Sequence, residues 1–241
     1  MIEPTDDPLS PDQRFEAELE IFRTETEAAA QFFSAYLSVH EIAASHEPVK
    51  VLLSQTPLFS NTILGALQTA SLVAVGRVFD QDSAHNLDQL LRIAQDSPEI
   101  FSKAALGGRK ISNRAQDPAW LEDSIRDAYE PTADDFKPIR AQVHQQRKTY
   151  ELQYKQLRDK VYAHNAVLNR AQVDVLFANT DIMELHRMFK FFGSLHEALW
   201  QLFFNGQKPL VLESEVLRDT VQESISREAK RFLLAASGAT R

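Results

Sequence analysis

The feature that most constrains the fold is the spacing of the apolar residues, which recur every three or four positions through nearly the whole chain. Near the N-terminus, Phe15, Leu19 and Phe22 begin such a stripe, and this periodicity is that of an amphipathic helix. No run alternates apolar and polar residues for more than a few positions, as a half-buried strand does. The sequence therefore predicts an all-α protein.

Start and stop signals divide the pattern into helices. Ser10 and the proline after it start a first helix that reaches about His46, and a second helical region begins at Pro48 and restarts near Pro57. The restarted segment, LFSNTILGALQTASLVAVGRVFD, is apolar nearly all round, which predicts a central helix that ends by Asp80.

The second half of the chain carries further signals of the same kind. Ser83 or Asn86 caps a short helix, and the double glycine in residues 103–118 predicts a loop. A long helix is expected from about Thr132 to Ala163, and an apolar helix stops at Asn205 and Gly206 before a final amphipathic helix. Because no linker divides the chain, we expect a flexible acidic segment over residues 1–9 and a single helical domain over 10–241.

Composition excludes several classes of site. The chain has no cysteine, which removes disulfides, thiolate nucleophiles and Cys-ligated zinc. His40 and His46 are six positions apart, whereas a zinc-binding H-E-x-x-H helix needs a spacing of four. No phosphate loop or G-x-S-x-G turn occurs either. We therefore expect chemistry by histidine, carboxylate, hydroxyl or arginine, with no metal and no cofactor.

The N-terminal sequence and the charge indicate where the chain acts and on what. MIEPTDDPLSPDQ is not a signal peptide, and no stretch of eighteen uninterrupted apolar residues occurs, so a cytoplasmic protein without a membrane partner is expected. The net charge is −8, but residues 137–160 form a basic segment. A basic stripe on a helix suits nucleic-acid phosphates. Its basic residues are Lys137, Arg140, Arg147, Lys148, Lys155, Arg158 and Lys160.

The basic segment ends in RDKVYAH, which contains Arg158, Asp159 and His164. An arginine holds a phosphate through its fork of donors, and a histidine exchanges protons near neutral pH. Arg and His fall at such a spacing about once by chance in a chain of this composition, so context has to support the assignment. In the alternative interpretation, Arg158 pairs with a carboxylate and His164 caps the end of the helix.

On a regular helix, residues six positions apart point about 120° away from each other. Either the helix ends or distorts near Ala163, or two copies of the motif meet in a symmetric dimer, and we expect both. At the end of the earlier apolar helix, Arg77 and Asp80 are three positions apart, a spacing that permits a structural ion pair.

The motif resembles that of HEPN domains (higher eukaryotes and prokaryotes nucleotide-binding), and specifically their abortive-infection, AbiU-like branch. The hallmark is an arginine, a polar residue, a short spacer and a histidine, which Arg158, Asp159 and His164 match. Arg77 and Asp80 in GRVFDQDSAHNLDQLL match a second segment of the branch. The tyrosine that some HEPN toxins carry two residues after the histidine is Ala166 here.

The resemblance implies an antiparallel helical bundle with long central helices and additional N- and C-terminal helices. It also implies a homodimer with a composite active site and a metal-independent endoribonuclease, acting as a toxin or abortive-infection effector with an antitoxin protein as a further partner. His164 would exchange protons with the ribose 2′-hydroxyl, Arg158 would stabilise charge on the phosphate, and Asp159 would orient one of them. The candidate RNA-phosphate ligands are Lys155, Lys160, Arg147 and Lys148.

The alternative function is a non-catalytic HEPN module that binds nucleotide, RNA or another protein. It predicts salt-sensitive RNA binding through the basic segment without cleavage. A further hypothesis is that the acidic N-terminal segment covers the basic helix and holds the protein inactive. Deletion of residues 1–12 would then raise activity or RNA affinity.

Overall fold

Helices form all the regular structure in the residues that the structure, a computed structural model, describes: 9–111, 119–163, 180–211 and 220–238. No strand occurs in these ranges, and the predicted all-α class is confirmed. The longer helices are α1 (Pro11–Ser45), α2 (Glu47–Gln55), α3 (Pro57–Phe79), α4 (Leu87–Asp96), α5 (Lys103–Ile111), α6 (Leu121–Arg126), α7 (Phe136–Gln153), α8 (Ile182–Asn205) and α9 (Thr220–Ala236). Short 3₁₀ turns lie at Pro98–Phe101 and Ala133–Asp135.

The chain divides into two compact units. The first comprises Met1–Arg23, Phe79–Lys148 and Lys190–Ser214, and the second comprises Thr24–Val78, Thr149–Phe189 and Glu215–Arg241. The single domain over residues 10–241 and the flexible segment over residues 1–9 remain predictions. Of that segment, residues 1–8 lie outside the described part of the chain.

An aromatic cluster forms the core of the first unit. The ring of Phe15 lies 5.1 Å from that of Phe101 and 4.9 Å from that of Phe203, and Phe136 lies 5.6 Å from Phe101. Rings at these distances attract beyond the apolar area that they bury. The expected stripe of α1 thus packs against three other elements of this unit.

Helix ends in the first unit follow the sequence signals. The Asn86 side chain accepts a hydrogen bond from the backbone N–H of Gln89 at 2.9 Å, which confirms Asn86 as the cap of α4. Gly206, with φ of +62°, ends α8, and a Cβ there would lie 2.6 Å from Cβ of Ala128. Only glycine combines this left-handed conformation with so close an approach.

The loop predicted for residues 103–118 is wrong where the structure describes it, because residues 103–111 form α5. Leu106 and Gly107 are buried, and a Cβ on Gly107 would touch Ile125 of α6 at 3.7 Å. Burial against α6 therefore outweighs the low helix propensity of two adjacent glycines. Residues 112–118 lie outside the described part of the chain.

In the second unit, α2 packs against the C-terminal helix. Ile42, Val49 and Leu233 are buried together, one each from α1, α2 and α9. The final helix predicted from sequence is therefore part of a core, although its described portion starts only at Thr220.

The prediction that α3 is central along its whole length is wrong for its first half. Leu58 is 85% exposed and Phe59 is 68% exposed, whereas Leu72, Val75 and Val78 are buried. By length and composition α3 could cross a membrane, but an apolar helix in the core of a soluble protein passes the same test, so this is weak evidence for a span. No other helix within the described ranges meets that criterion.

Candidate active site

Helix α7 leads to the candidate site. Its start is fixed by Thr132 and Asp135, whose side chains each bond to the other's backbone N–H, and a hydrogen bond from the Tyr129 hydroxyl is the largest cause that lowers the pKa of Asp135. A buried stripe then runs along the helix at spacings of three and four, as expected for one core-facing side. Its members are Phe136, Ile139, Val143, Arg147, Tyr150, Tyr154 and Leu157.

The helix changes type where the motif begins. Tyr154 interrupts it with φ of −117°, a single turn follows at Lys155–Leu157, and Arg158–Ala163 form a π-helix. A π-turn bonds residue i to residue i+5 and is wider than an α-turn, and such turns are frequent at functional sites. The helix is therefore distorted over the six residues that separate Arg158 from the motif histidine. This is one of the two arrangements that the spacing required.

Arg158 is held by its neighbour in sequence. Its Nε donates to Oδ1 of Asp159 at 2.6 Å, and Nη2 lies 2.5 Å from the same oxygen. The two side chains are 18% and 29% exposed. The site thus joins a cation in a defined orientation with partial access to solvent.

Gly76 of α3 lies directly against the Arg158 side chain. A Cβ at position 76 would overlap Nη1 of Arg158, lie 2.6 Å from its Cδ and lie 2.9 Å from the hydroxyl oxygen of Tyr150. The absence of a side chain at Gly76 is therefore what lets the guanidinium rest on α3. Sequence reasoning missed this residue, although a glycine inside an apolar helix is a signal of close approach.

The other motif residue, His164, lies outside the described part of the chain, as does Ala166. Tyr154 and Asp181 lie at the two edges of that gap, and the Tyr154 hydroxyl donates a hydrogen bond to the Asp181 carbonyl. This contact ties the end of α7 to the residue that precedes α8. The chain on both sides of the gap is therefore fixed within the second unit.

The predicted phosphate ligands fall into two groups. Lys148, Lys155 and Lys160 are exposed, and Nζ of Lys160 bonds to Gln156 at 3.3 Å. Arg147 is buried, and its Nη2 lies 2.5 Å from Oδ2 of Asp88. This pair favours a structural role for Arg147 over contact with RNA.

The residues of the predicted pair Arg77 and Asp80 each have a different partner. Nε of Arg77 lies 3.1 Å from Oε2 of Glu25 on α1, and the Asp80 carboxylate accepts a hydrogen bond from the backbone N–H of Asp82 at 3.2 Å. Both contacts are structural, one between helices and one within a turn. No group of three or more His, Asp and Glu residues within the described ranges is arranged to hold a metal ion.

Comparison with known proteins gives one match. The family model HEPN_AbiU2, described as AbiU2, matches residues 12–225, which include Arg158, Asp159 and His164. No curated protein and no solved structure matches the chain.

Proposed function

The chain belongs to the AbiU2 family of HEPN domains, and from this premise we propose that it is a metal-independent endoribonuclease. The observation that supports the proposal most is the setting of Arg158. It is oriented by Asp159, rests on Gly76 and remains partly open to solvent at the start of a π-helix. A fixed cation beside a reacting phosphate is an established way to stabilise a transition state.

In the proposed reaction, His164 removes the proton from a ribose 2′-hydroxyl as its oxygen attacks the adjacent phosphorus. The bond from phosphorus to the 5′-oxygen breaks, the leaving oxygen takes up a proton, and a 2′,3′-cyclic phosphate remains. Arg158 stabilises the negative charge that develops on the phosphate oxygens, while Asp159 holds the guanidinium in orientation. The role of His164 rests on its place in the motif.

The exposed lysines beside the site are proposed to hold the flanking RNA phosphates. Lys155 and Lys160 are on either side of Arg158 in sequence, and Lys148 lies two turns earlier on α7. Each phosphate contact of this kind makes affinity fall as salt rises. The lysines therefore supply attachment without sequence preference.

We further propose a homodimer with a composite active site, acting as a toxin or abortive-infection effector that an antitoxin protein controls. The exposed apolar start of α3 supports an interaction surface, because Leu58, Phe59 and Ile63 all present large apolar side chains to solvent. Apolar patches of this kind mark contacts with other macromolecules.

A non-catalytic module that binds RNA or nucleotide is the second candidate, and the Arg158–Asp159 pair favours it. The carboxylate already compensates the charge of the guanidinium, so a substrate phosphate has to compete with Asp159 for the same donors. In such a module the motif would bind RNA without cleaving it.

Incubation of the purified protein with a mixed RNA pool in excess chelator separates the two candidates. We expect wild type to cleave and to leave cyclic or 3′-phosphate ends, and Arg158→Ala and His164→Ala to be inactive while circular dichroism shows intact helices. Arg126→Ala and His144→Ala are matched controls, because both residues are exposed and lie outside the motif. Cleavage retained in either motif variant contradicts the proposal, and salt-sensitive RNA binding without cleavage supports the second candidate.

A further inference from the structure

A cavity of about 160 Å³ lies in the second unit, and Leu157, the residue before Arg158, forms part of its wall. Helices α1 and α3 and the end of α7 supply most of the rest. The walls include Phe33, Tyr36, Gln68, Ser71, Tyr154 and Leu157. Four of these, Phe33, Ser71, Tyr154 and Leu157, are buried, so the walls are fixed by the core.

The size of the cavity fits one aromatic ring. An engineered protein cavity of roughly 150 Å³ binds benzene, so a volume of about 160 Å³ holds a single six-membered ring. The two fused rings of a purine need more room. Unlike that dry engineered cavity, this one is lined by polar side chains as well as aromatic ones.

The wall chemistry suits a flat ring with a polar edge. Phe33 and Tyr36 supply apolar ring faces, against which nucleobases stack irrespective of sequence. The Gln68 amide carries donors and an acceptor on one plane, matching the donors and acceptors on the edge of a base. The Ser71 hydroxyl donates to the Ala29 carbonyl at 2.9 Å and keeps lone pairs that accept a further bond.

The tyrosine hydroxyls are donors at neutral pH. Burial raises the pKa of Tyr36, and burial is also the main cause that raises the pKa of Tyr154 to about 12. Both rings therefore stay uncharged over the physiological range. A neutral base is consequently a better occupant than an anion or a cation.

Two chain connections place this cavity close to Arg158. Leu157 and Arg158 are consecutive, so their Cα atoms are about 3.8 Å apart. On α3, Leu72 in the wall precedes Gly76, which touches Arg158, by four residues, and this spacing is about one turn of helix, roughly 5.4 Å. A base in the cavity therefore brings the phosphate of its own nucleotide within reach of the Arg158 guanidinium.

We propose that this cavity binds a pyrimidine base of the RNA strand, next to the phosphate that Arg158 contacts. The inference rests on the proposed ribonuclease function and adds a substrate preference to it. Cleavage then occurs at the phosphate of a uridine or a cytidine. Sequence-specific RNA recognition commonly uses unstacked bases held in this way.

Calorimetric titration of the full chain with UMP, CMP, AMP, GMP and inorganic phosphate tests the site without any cleavage. We expect UMP or CMP to bind about tenfold or more tightly than the purine nucleotides and than phosphate alone. Gln68→Leu should weaken that binding by about tenfold through loss of hydrogen bonds, whereas Gln31→Leu, at an exposed position of α1, should not. Equal affinity for purines or phosphate overturns the site.

Tyr36→Phe provides a second variant, because it removes one hydroxyl and keeps the ring; unchanged pyrimidine affinity in both variants also overturns the site. Mapping of cleavage ends then separates the two proposals. Pyrimidine binding without RNA cleavage supports the base site and counts against the ribonuclease. Cleavage dependent on Arg158 with no pyrimidine preference supports the ribonuclease and overturns the base site.

Discussion

Two arginines, one in each unit, are paired with aspartates in different ways. Arg109 of α5 is 12% exposed and contacts Asp12 at 2.5 Å, and its guanidinium donates to the carbonyls of Ile100 and Phe203 and lies 3.9 Å from the centre of the Phe203 ring. Burial is the main cause that lowers the pKa of Arg109. Three separate elements thus converge on one side chain.

Arg158 instead has as its carboxylate partner the next residue of the chain, and it lies on a bare stretch of helix at Gly76. A contact between neighbours in sequence adds little to the packing of distant elements. The comparison indicates that Arg109 serves stability, whereas Arg158 is placed for a ligand. Four substitutions test this division.

The largest expected effect is that of Arg109→Ala on stability. The substitution leaves the Asp12 carboxylate and two carbonyls without their donor, and breaking a buried pair from one side costs about 3–5 kcal/mol. The free energy of unfolding from urea titration measures this loss. Arg126→Ala is the control, because its exposed i,i+3 pair with Asp123 should contribute less than about 1 kcal/mol. Equal losses in the two variants would remove the structural role of Arg109.

Arg158→Ala should have the opposite profile. We expect RNA cleavage to fall about a hundredfold or more, while the free energy of unfolding changes by about 1 kcal/mol or less. Initial rates on one RNA, with urea titration of the same preparation, measure both quantities. Destabilisation as large as that of Arg109→Ala would show that the two arginines have the same role.

Gly76→Ala should act on Arg158 without removing it. A methyl group there displaces the guanidinium, so we expect cleavage to fall about tenfold, the effect of roughly 1.4 kcal/mol in the transition state. Gly65→Ala is the matched control on the same helix, since a Cβ at that position meets nothing within 4 Å. That variant should keep its cleavage rate and gain about 0.5–1 kcal/mol of stability. Equal rates for both variants would contradict the positioning role of Gly76.

The smallest effect is expected for Asp159→Asn. The amide oxygen still accepts one hydrogen bond from Arg158, but the charge is lost, so cleavage should fall about threefold and stability should change by less than about 1 kcal/mol. Asp123→Asn, at an exposed carboxylate in the first unit, is the control for the charge change. A rise in cleavage would instead mean that Asp159 competes with the substrate phosphate.

The helices could be predicted where local signals and packing agree. The stripe of α1, the Asn86 cap and the stop at Gly206 were all predicted, because each depends on residues adjacent in sequence. The loop prediction failed at α5, since the burial of Gly107 against Ile125 depends on a residue eighteen positions away. The start of α3 failed for a related reason: apolar residues alone do not show whether a neighbour covers them.

The candidate site was predictable only in its residue types. Arg158 and Asp159 stand out in the sequence, but the π-helix that carries them has no residue pattern comparable to a cap. Gly76 is eighty-two positions away from Arg158, so only the fold brings the two together. Arg147 shows the converse, because its place in a basic segment gave no sign of its buried pair with Asp88.

The π-helix at Arg158–Ala163 also has a consequence for how the motif can vary through insertion and deletion. A π-turn contains more residues than an α-turn, so loss of one residue between Asp159 and Ala163 lets the segment close into ordinary α-helix. Everything after the deletion then rotates by about 100° relative to Arg158. The number of residues between the arginine and the histidine is therefore coupled to helix type, and a shorter or longer spacer keeps the same geometry only if the helical turn changes with it.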